Sequence, residues 1–350
     1  METTKQKKER DFILDFTKGV AIILVVLGHT LQGQAKNFDD IYGFRVIYSF
    51  HMPLFAFLSG AAASHWVTKF TMASSFRELT KSSIYRINRS AIHLLVPFLS
   101  WTIIAFWMSN PKENFSEYIL DIFRHADRSL WFLPCIFWCT TYTSLFMLCL
   151  TSIRKATSGT SMDKLSRYTA SLPIQMVALL IIWKIAKPSL PTELGLVFAN
   201  QFHGGLFIFF LLGIILFKHF IEIKQVTFRF IPYVIFLILI PYWHRTLPSN
   251  IIQGAPEFIT NNWLAKKYAM IVAISGILAT IDISRLIHSI NMVKPNSLIS
   301  YIGTASLGIY AIHFYFLKYQ LHVILTIAIS LLIYQFISAI PAVKNLLLGK

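Results

Sequence analysis

The stretch Asp15-Phe16-Thr17-Lys18-Gly19-Val20-Ala21-Ile22-Ile23-Leu24-Val25-Val26-Leu27-Gly28-His29 sets ten uncharged residues between a lysine and a histidine. The uncharged run continues to Ala35, a length that fits a membrane span. Nine more such runs follow: Val46–Thr68, Ser90–Pro111, Ser129–Ile153, Tyr168–Trp183, Leu194–Phe217, Phe230–His244, Tyr268–Ile281, Pro295–Leu317 and Tyr319–Val343. At about 20 residues per span, ten spans take most of the chain and leave short loops. Lipid offers no partner to a bare backbone, so each spanning segment must be a helix. The expectation is an all-α integral membrane protein of about ten transmembrane helices, a single polytopic domain over residues 1–350 with no appended soluble domain. Composition agrees: 55% of residues are hydrophobic, 14% are charged, and the mean hydropathy is +0.58. A soluble domain carries charge on about a quarter of its residues, so a disordered chain and an ordinary soluble enzyme are excluded.

The net charge of +16 comes from 32 Lys and Arg against 16 Asp and Glu. Most of the basic residues flank the apolar runs, so they read as topology signals. The N-terminus, the even-numbered loops and the C-terminus hold twenty, among them Lys69, Arg77, Lys81, Arg86 and Arg89; the odd-numbered loops hold eleven. Both termini are therefore predicted to be cytoplasmic, and no nucleic acid is needed to explain the charge. Cys135, Cys139 and Cys149 fall within one apolar run and read as packing residues, neither a disulfide framework nor a metal site. The first run is too long for a signal-peptide core and is expected to stay. The segment Asn110–Arg128, with Glu113, Glu117, Asp121 and Asp127, is expected to be a solvated outer loop.

Ionisable groups inside spans are costly and mark functional sites by default. Lys18 and His29 are eleven positions apart, which puts both on one helix face about 16 Å apart. Asp15, three residues before Lys18, joins that stripe. Asp15 and Lys18 read equally as an interfacial pair that snorkels. By span direction, His29, His51 (in Ser49-Phe50-His51-Met52-Pro53) and His313 (in Tyr310-Ala311-Ile312-His313) all come to the outer half of the membrane. Each alone has a packing interpretation; together they suggest one histidine-lined cavity. Arg86-Ile87-Asn88-Arg89, at the cytoplasmic entrance of the third span, is either positive-inside flanking or an anion site, since guanidinium binds phosphate in bidentate fashion.

These motifs resemble the membrane acyltransferase-3 family. The lysine or arginine, ten residues and histidine of its first helix correspond to Lys18 and His29. Ser49-Phe50-His51-Met52-Pro53-Leu54-Phe55-Ala56-Phe57-Leu58-Ser59-Gly60 is similar to its second helix, in the form found in the subgroup of fucose 4-O-acetylase and the enterobacterial common antigen O-acetyltransferase. Arg86-x-x-Arg89 before Pro97-Phe98, Leu130-Trp131-Phe132-Leu133-Pro134 and Ser306-Leu307-Gly308-Ile309-Tyr310-Ala311-Ile312-His313 complete the set. The likeness runs from the first helix to the ninth.

The resemblance implies a multi-pass enzyme of a bacterial inner (plasma) membrane that transfers an acetyl group from acetyl-CoA to a hydroxyl of a cell-surface or exported glycan, or of a lipid-linked saccharide. Acetyl-CoA would be the co-substrate, and no metal is implied. Carried over by position, His29 is the essential histidine, Lys18 its basic partner, and Arg86 with Arg89 the arginine pair. The chemistry suits the residues. A hydroxyl near neutral pH needs a base, worth about 10²–10⁴-fold, and the tetrahedral oxyanion needs a donor or positive charge. His29 is the candidate base, with His51 and His313 as orienting or oxyanion-stabilising groups; an acyl-histidine route competes. The expected arrangement is transmembrane delivery, with Arg86 and Arg89 holding the donor's phosphates on the cytoplasmic side and the thioester arm reaching toward His29. The alternative function is a transporter or flippase for a glycan or lipid-linked intermediate, which would favour broken helices or paired repeats around a midplane site; the sequence reveals neither.

Overall fold

A span that must satisfy its own backbone can afford interruptions only where neighbouring protein covers them. The computed structural model describes residues 4–71, 76–109, 114–124, 130–157, 171–186, 200–223, 226–247, 256–289, 293–317, 319 and 321–350. Its helices are α1 (Thr4–Gln34), α2 (Tyr42–Tyr48), α3 (His51–Thr71), α4 (Phe76–Ser90), α5 (Val96–Ser109), α6 (Phe115–Arg124), α7 (Phe132–Thr157), α8 (Leu172–Ala186), α9 (Asn200–Glu222), α10 (Val226–Leu239), α11 (Glu257–Thr260), α12 (Asn262–Ser289), α13 (Val293–Thr304), α14 (Ser306–Ile312), α15 (Phe314–Leu317), α16 (Val323–Ala339) and α17 (Pro341–Leu348). No strand occurs among the described residues. Among the described residues, six helical stretches are long and apolar enough to cross a membrane, and Leu172–Ile185, Phe228–Tyr242 and Val323–Ala339 are shorter apolar helices.

Three departures from the expected spans have local causes. The second span begins as two helices, because Pro53 in the first turn of α3 lacks the N–H that would extend the hydrogen-bond ladder of α2. The third span is a continuation of α4 through a π-helical turn at Ala91–Leu95 into α5. The ninth is broken: α13 ends at Thr304, Ala305 leaves the helical region (φ −90°, ψ 0°), and α14 ends just before His313. The acidic segment is also not simply a loop. Phe115, Tyr118, Ile119 and Ile122 recur at helical spacing, form one face of α6, and bring Phe115 and Tyr118 within 5.0 and 5.2 Å of the Phe106 ring. The rest of that acidic segment, residues 110–113 and 125–128, lies outside the described residues.

The chain forms two compact units. The first comprises Met1–Leu58 and Leu216–Gln335. Here α1 packs most extensively along α13. Their backbones touch through two glycines: a Cβ on Gly303 would overlap the Asp15 carbonyl oxygen, and one on Gly19 would overlap the carbonyl oxygen of Ile299. Small residues at such crossings let helices approach closely where lipid gives no hydrophobic drive for association. Helix α10 packs on α12, tied by Arg229, whose Nε donates to Asp282 at 2.6 Å, and by the Tyr233 hydroxyl, which donates to the other Asp282 oxygen at 3.1 Å. Buried hydroxyls bond back to their own helix, as Thr17 to Ile13, Thr30 to Val26 and Thr280 to Gly276.

The second unit comprises Ser59–Ile215 and Phe336–Lys350. In it α4 packs on α7, and α17 packs on α5, where the Trp101 indole N–H donates to the Leu347 carbonyl at 2.9 Å. Gly349, at φ 63°, turns the chain against the backbone of Ile92 and His93. All three cysteines are free: Cys135 and Cys139 are buried as packing residues should be, whereas Cys149 is exposed.

Candidate active site

His29 lies on α1, half-buried, between the buried Gly28 and Thr30. Two hydrogen-bonding groups meet its Nδ1: the Gln32 Oε1 atom lies 3.2 Å away and the Tyr48 hydroxyl 3.3 Å away. Tyr48 in turn donates to Gln32 Oε1 at 2.9 Å. Gln32 is one helical turn beyond His29, so backbone geometry alone brings it there. Tyr48 arrives from α2, where its ring stacks on Phe44 at 3.8 Å and packs against the buried cluster of Ile240, Trp243, Tyr268 and Val272.

His51 and His313 come to the same place. The His313 ring centroid is 5.5 Å from that of His29, and the His51 ring is 4.6 Å from that of Tyr48. Phe314 closes on His29 at 4.9 Å. His51 is 4% exposed and His313 fully buried. Each directs Nδ1 at the carbonyl four residues earlier, Ile47 and Ile309 respectively, at 3.0 Å. A carbonyl only accepts, so Nδ1 carries the proton in both rings and Nε2 of the neutral ring is a bare acceptor. Nε2 of His313 is buried with no hydrogen-bond partner among the described residues. As neutral rings, His51 and His313 therefore offer acceptor atoms; stabilising an oxyanion would require protonation of one of them.

Asp15 and Lys18 sit together but apart from the histidines. Lys18 Nζ lies 3.3 Å from Asp15 Oδ1, an ion pair one turn long with both side chains partly exposed. This pair flanks the Gly19 and Gly303 crossing, so Lys18 reaches its helix neighbour and not the His29 ring.

Arg86 and Arg89 belong to the second unit. They occupy the last turns of α4, immediately before the π-helical turn. The Arg86 guanidinium lies 5.7 Å over the Trp66 ring. Arg89 donates from Nε to His93 at 3.2 Å and from Nη1 to the Tyr85 hydroxyl at 3.4 Å. Tyr85 and His93 lie four residues to either side on the same helical face.

A polar cluster in the first unit was not foreseen in the sequence. Arg245 grips Asp39 with two hydrogen bonds of 3.1 and 3.0 Å, and Arg45 donates to the Pro241 carbonyl at 3.4 Å, 3.2 Å from His244 Nε2. The Asp39 carboxylate holds the Arg245 guanidinium above its already high ordinary range. No group of three or more His, Cys, Asp and Glu suited to a metal ion occurs among the described residues.

The acyltransferase domain that defines the acyltransferase-3 family matches residues 11–343 of this chain. The chain belongs to the acyltransferase-3 family. It is similar to nodulation protein NolL of Mesorhizobium japonicum, 30% identical over 132 residues, covering 35% of this chain and 32% of that protein. It is also similar to nodulation protein NolL of Sinorhizobium fredii, 34% identical over 149 residues, covering 39% of this chain and 37% of that protein. The matched segments thus span only about a third of the length of these curated relatives. No solved structure matches the chain. Family membership and the six long apolar helices together make it a multi-pass membrane protein of an acyltransferase family.

Proposed function

We propose that this protein is a membrane O-acyltransferase that moves an acetyl group from cytoplasmic acetyl-CoA to a hydroxyl of a cell-surface or exported glycan, or of a lipid-linked saccharide, in a bacterial inner membrane. The observation that carries the proposal is the meeting of three histidines, His313 beside the His29 ring and His29 and His51 both against Tyr48, in a chain whose family is that of acyltransferases. In the proposed reaction the acceptor hydroxyl approaches His29 and gives its proton to the imidazole as its oxygen attacks the thioester carbonyl carbon. The tetrahedral intermediate collapses, the carbon–sulfur bond breaks, and the imidazolium returns the proton to the thiolate. The bare Nε2 atoms of His51 and His313 suit them to receive the O–H groups of a sugar, orienting it for attack. Arg86 and Arg89 are proposed to bind the phosphates of the donor by their charge and forked donor geometry.

A transporter or flippase is the second reading, and the break of the ninth span at Ala305 favours it. Labelled acetyl-CoA separates the two. Membranes containing the protein are incubated with it, and label is followed into glycan and lipid-linked saccharide. Transfer that disappears in a well-expressed His29→Ala protein supports the acyltransferase; intact acetyl-CoA with altered movement of glycan supports the transporter.

A further inference from the structure

We propose that Gln32 and Tyr48 are positioning residues for His29, holding its proton on Nδ1 and presenting Nε2 to the acceptor hydroxyl; this rests on the reading of His29 as the general base. Three polar atoms form a closed triangle: Tyr48 Oη to Gln32 Oε1 at 2.9 Å, His29 Nδ1 to Gln32 Oε1 at 3.2 Å, and His29 Nδ1 to Tyr48 Oη at 3.3 Å. An amide oxygen has no hydrogen to give, so Tyr48 and His29 both donate to it. The single Tyr48 hydrogen is then committed, and its oxygen can face Nδ1 only as an acceptor. Both contacts of Nδ1 therefore demand the same proton in the same place.

The triangle is held on each side. Gln32 shares the helix of His29 and lies one turn on. Tyr48 is fixed by Phe44, by the His51 ring and by the Ile240, Trp243, Tyr268 and Val272 cluster. The result repeats in side-chain form what Ile47 and Ile309 do for His51 and His313 through backbone carbonyls at 3.0 Å. All three rings thus keep the proton on Nδ1 and leave Nε2 available. An acceptor on the far nitrogen of a catalytic imidazole fixes both its tautomer and its orientation. Nothing in the spacing of Lys18 and His29 identifies either partner.

The test uses membrane vesicles from the producing cells, which carry the natural acceptor. Initial rates of label transfer are measured across acetyl-CoA concentrations and normalised to the amount of folded protein. Gln32→Leu and Tyr48→Phe are each expected to lower the maximal rate ~10-fold or more, with the KM for acetyl-CoA unchanged, because they disturb a proton-transfer step worth about 10²–10⁴-fold. Gln32→Glu, which still accepts from both donors, is expected to recover most of the Gln32→Leu loss. Rates within twofold of wild type in Gln32→Leu and Tyr48→Phe, while His29→Ala is inactive, overturn the positioning role alone. A loss confined to KM, or an equal loss in Gln32→Glu and Gln32→Leu, overturns it as well. A His29→Ala protein at the wild-type rate, or no transfer by wild type, overturns the base assignment and the positioning role with it.

Discussion

Replacing Gly303 with alanine tests how the helix crossing supports the histidines. The added Cβ would fall within the van der Waals envelope of the Asp15 carbonyl oxygen and close to the Gly19 nitrogen. These are backbone atoms and cannot rotate away, so α1 and α13 must separate. Overpacking of this kind costs about 1–3 kcal/mol. The consequence reaches the site, because α1 carries His29, and the chain from Gly303 runs directly through α14 to His313. The two rings are 5.5 Å apart, centroid to centroid. A shift of about 1 Å at a reacting centre can cost ~10²-fold in rate, so transfer is expected to fall at least tenfold in a protein that still folds. Thermal unfolding in detergent and label transfer from acetyl-CoA provide the two readouts. Gly33→Ala is the control, since nothing lies within 4 Å of a Cβ at that position. Wild-type stability together with the wild-type rate in Gly303→Ala would refute the close crossing and its role in aligning the site.

Asp282→Asn leaves the Arg229 guanidinium without its charged partner, where the two side chains are 4% and 16% exposed. Breaking a buried pair costs about 3–5 kcal/mol, and Tyr233→Phe at the same carboxylate should cost about 1 kcal/mol; denaturation in detergent measures both. Arg86→Ala and Arg89→Ala, made separately, are expected to weaken acetyl-CoA binding, and calorimetry showing unchanged affinity in both removes their proposed role. Gly349→Ala forces a left-handed conformation on a residue with a side chain and drives a Cβ into the His93 backbone. A loss of about 1–3 kcal/mol is expected, seen as earlier thermal release of α17; an unchanged melting profile would count against the docking of that helix.

Hydrophobic run length made the fold class legible, because in lipid a span must be a helix whatever its detailed sequence. The meeting of the histidines was foreshadowed by span direction: His29 near the end of an outgoing helix, His51 at the start of a returning one and His313 near the end of another. Chain-local causes that leave hydropathy untouched were harder to see. Ala305 interrupts the ninth span without a proline or a charge, and the π-helical turn at Ala91–Leu95 has no compositional mark. Gln32 was hidden because it lies at the polar end of α1, where an amide looks like an ordinary helix terminus. Tyr48 was hidden because the short α2 was merged into the second span. Spacing sets Lys18 and His29 on one stripe, yet a lysine three residues from an aspartate meets that neighbour first. Gly19 and Gly303 lie almost 300 residues apart, and only the folded chain shows that they share one crossing.

Acylation of the cell's own glycan is the most direct test. Surface and lipid-linked saccharides are compared by mass spectrometry between cells with the protein, cells without it, and cells carrying His29→Ala at equal abundance. A mass difference of one acetyl group, present only with the unaltered protein, is the expected result, and it also identifies the acceptor. Identical acylation in all three strains would contradict the proposed O-acyltransferase activity at this histidine site.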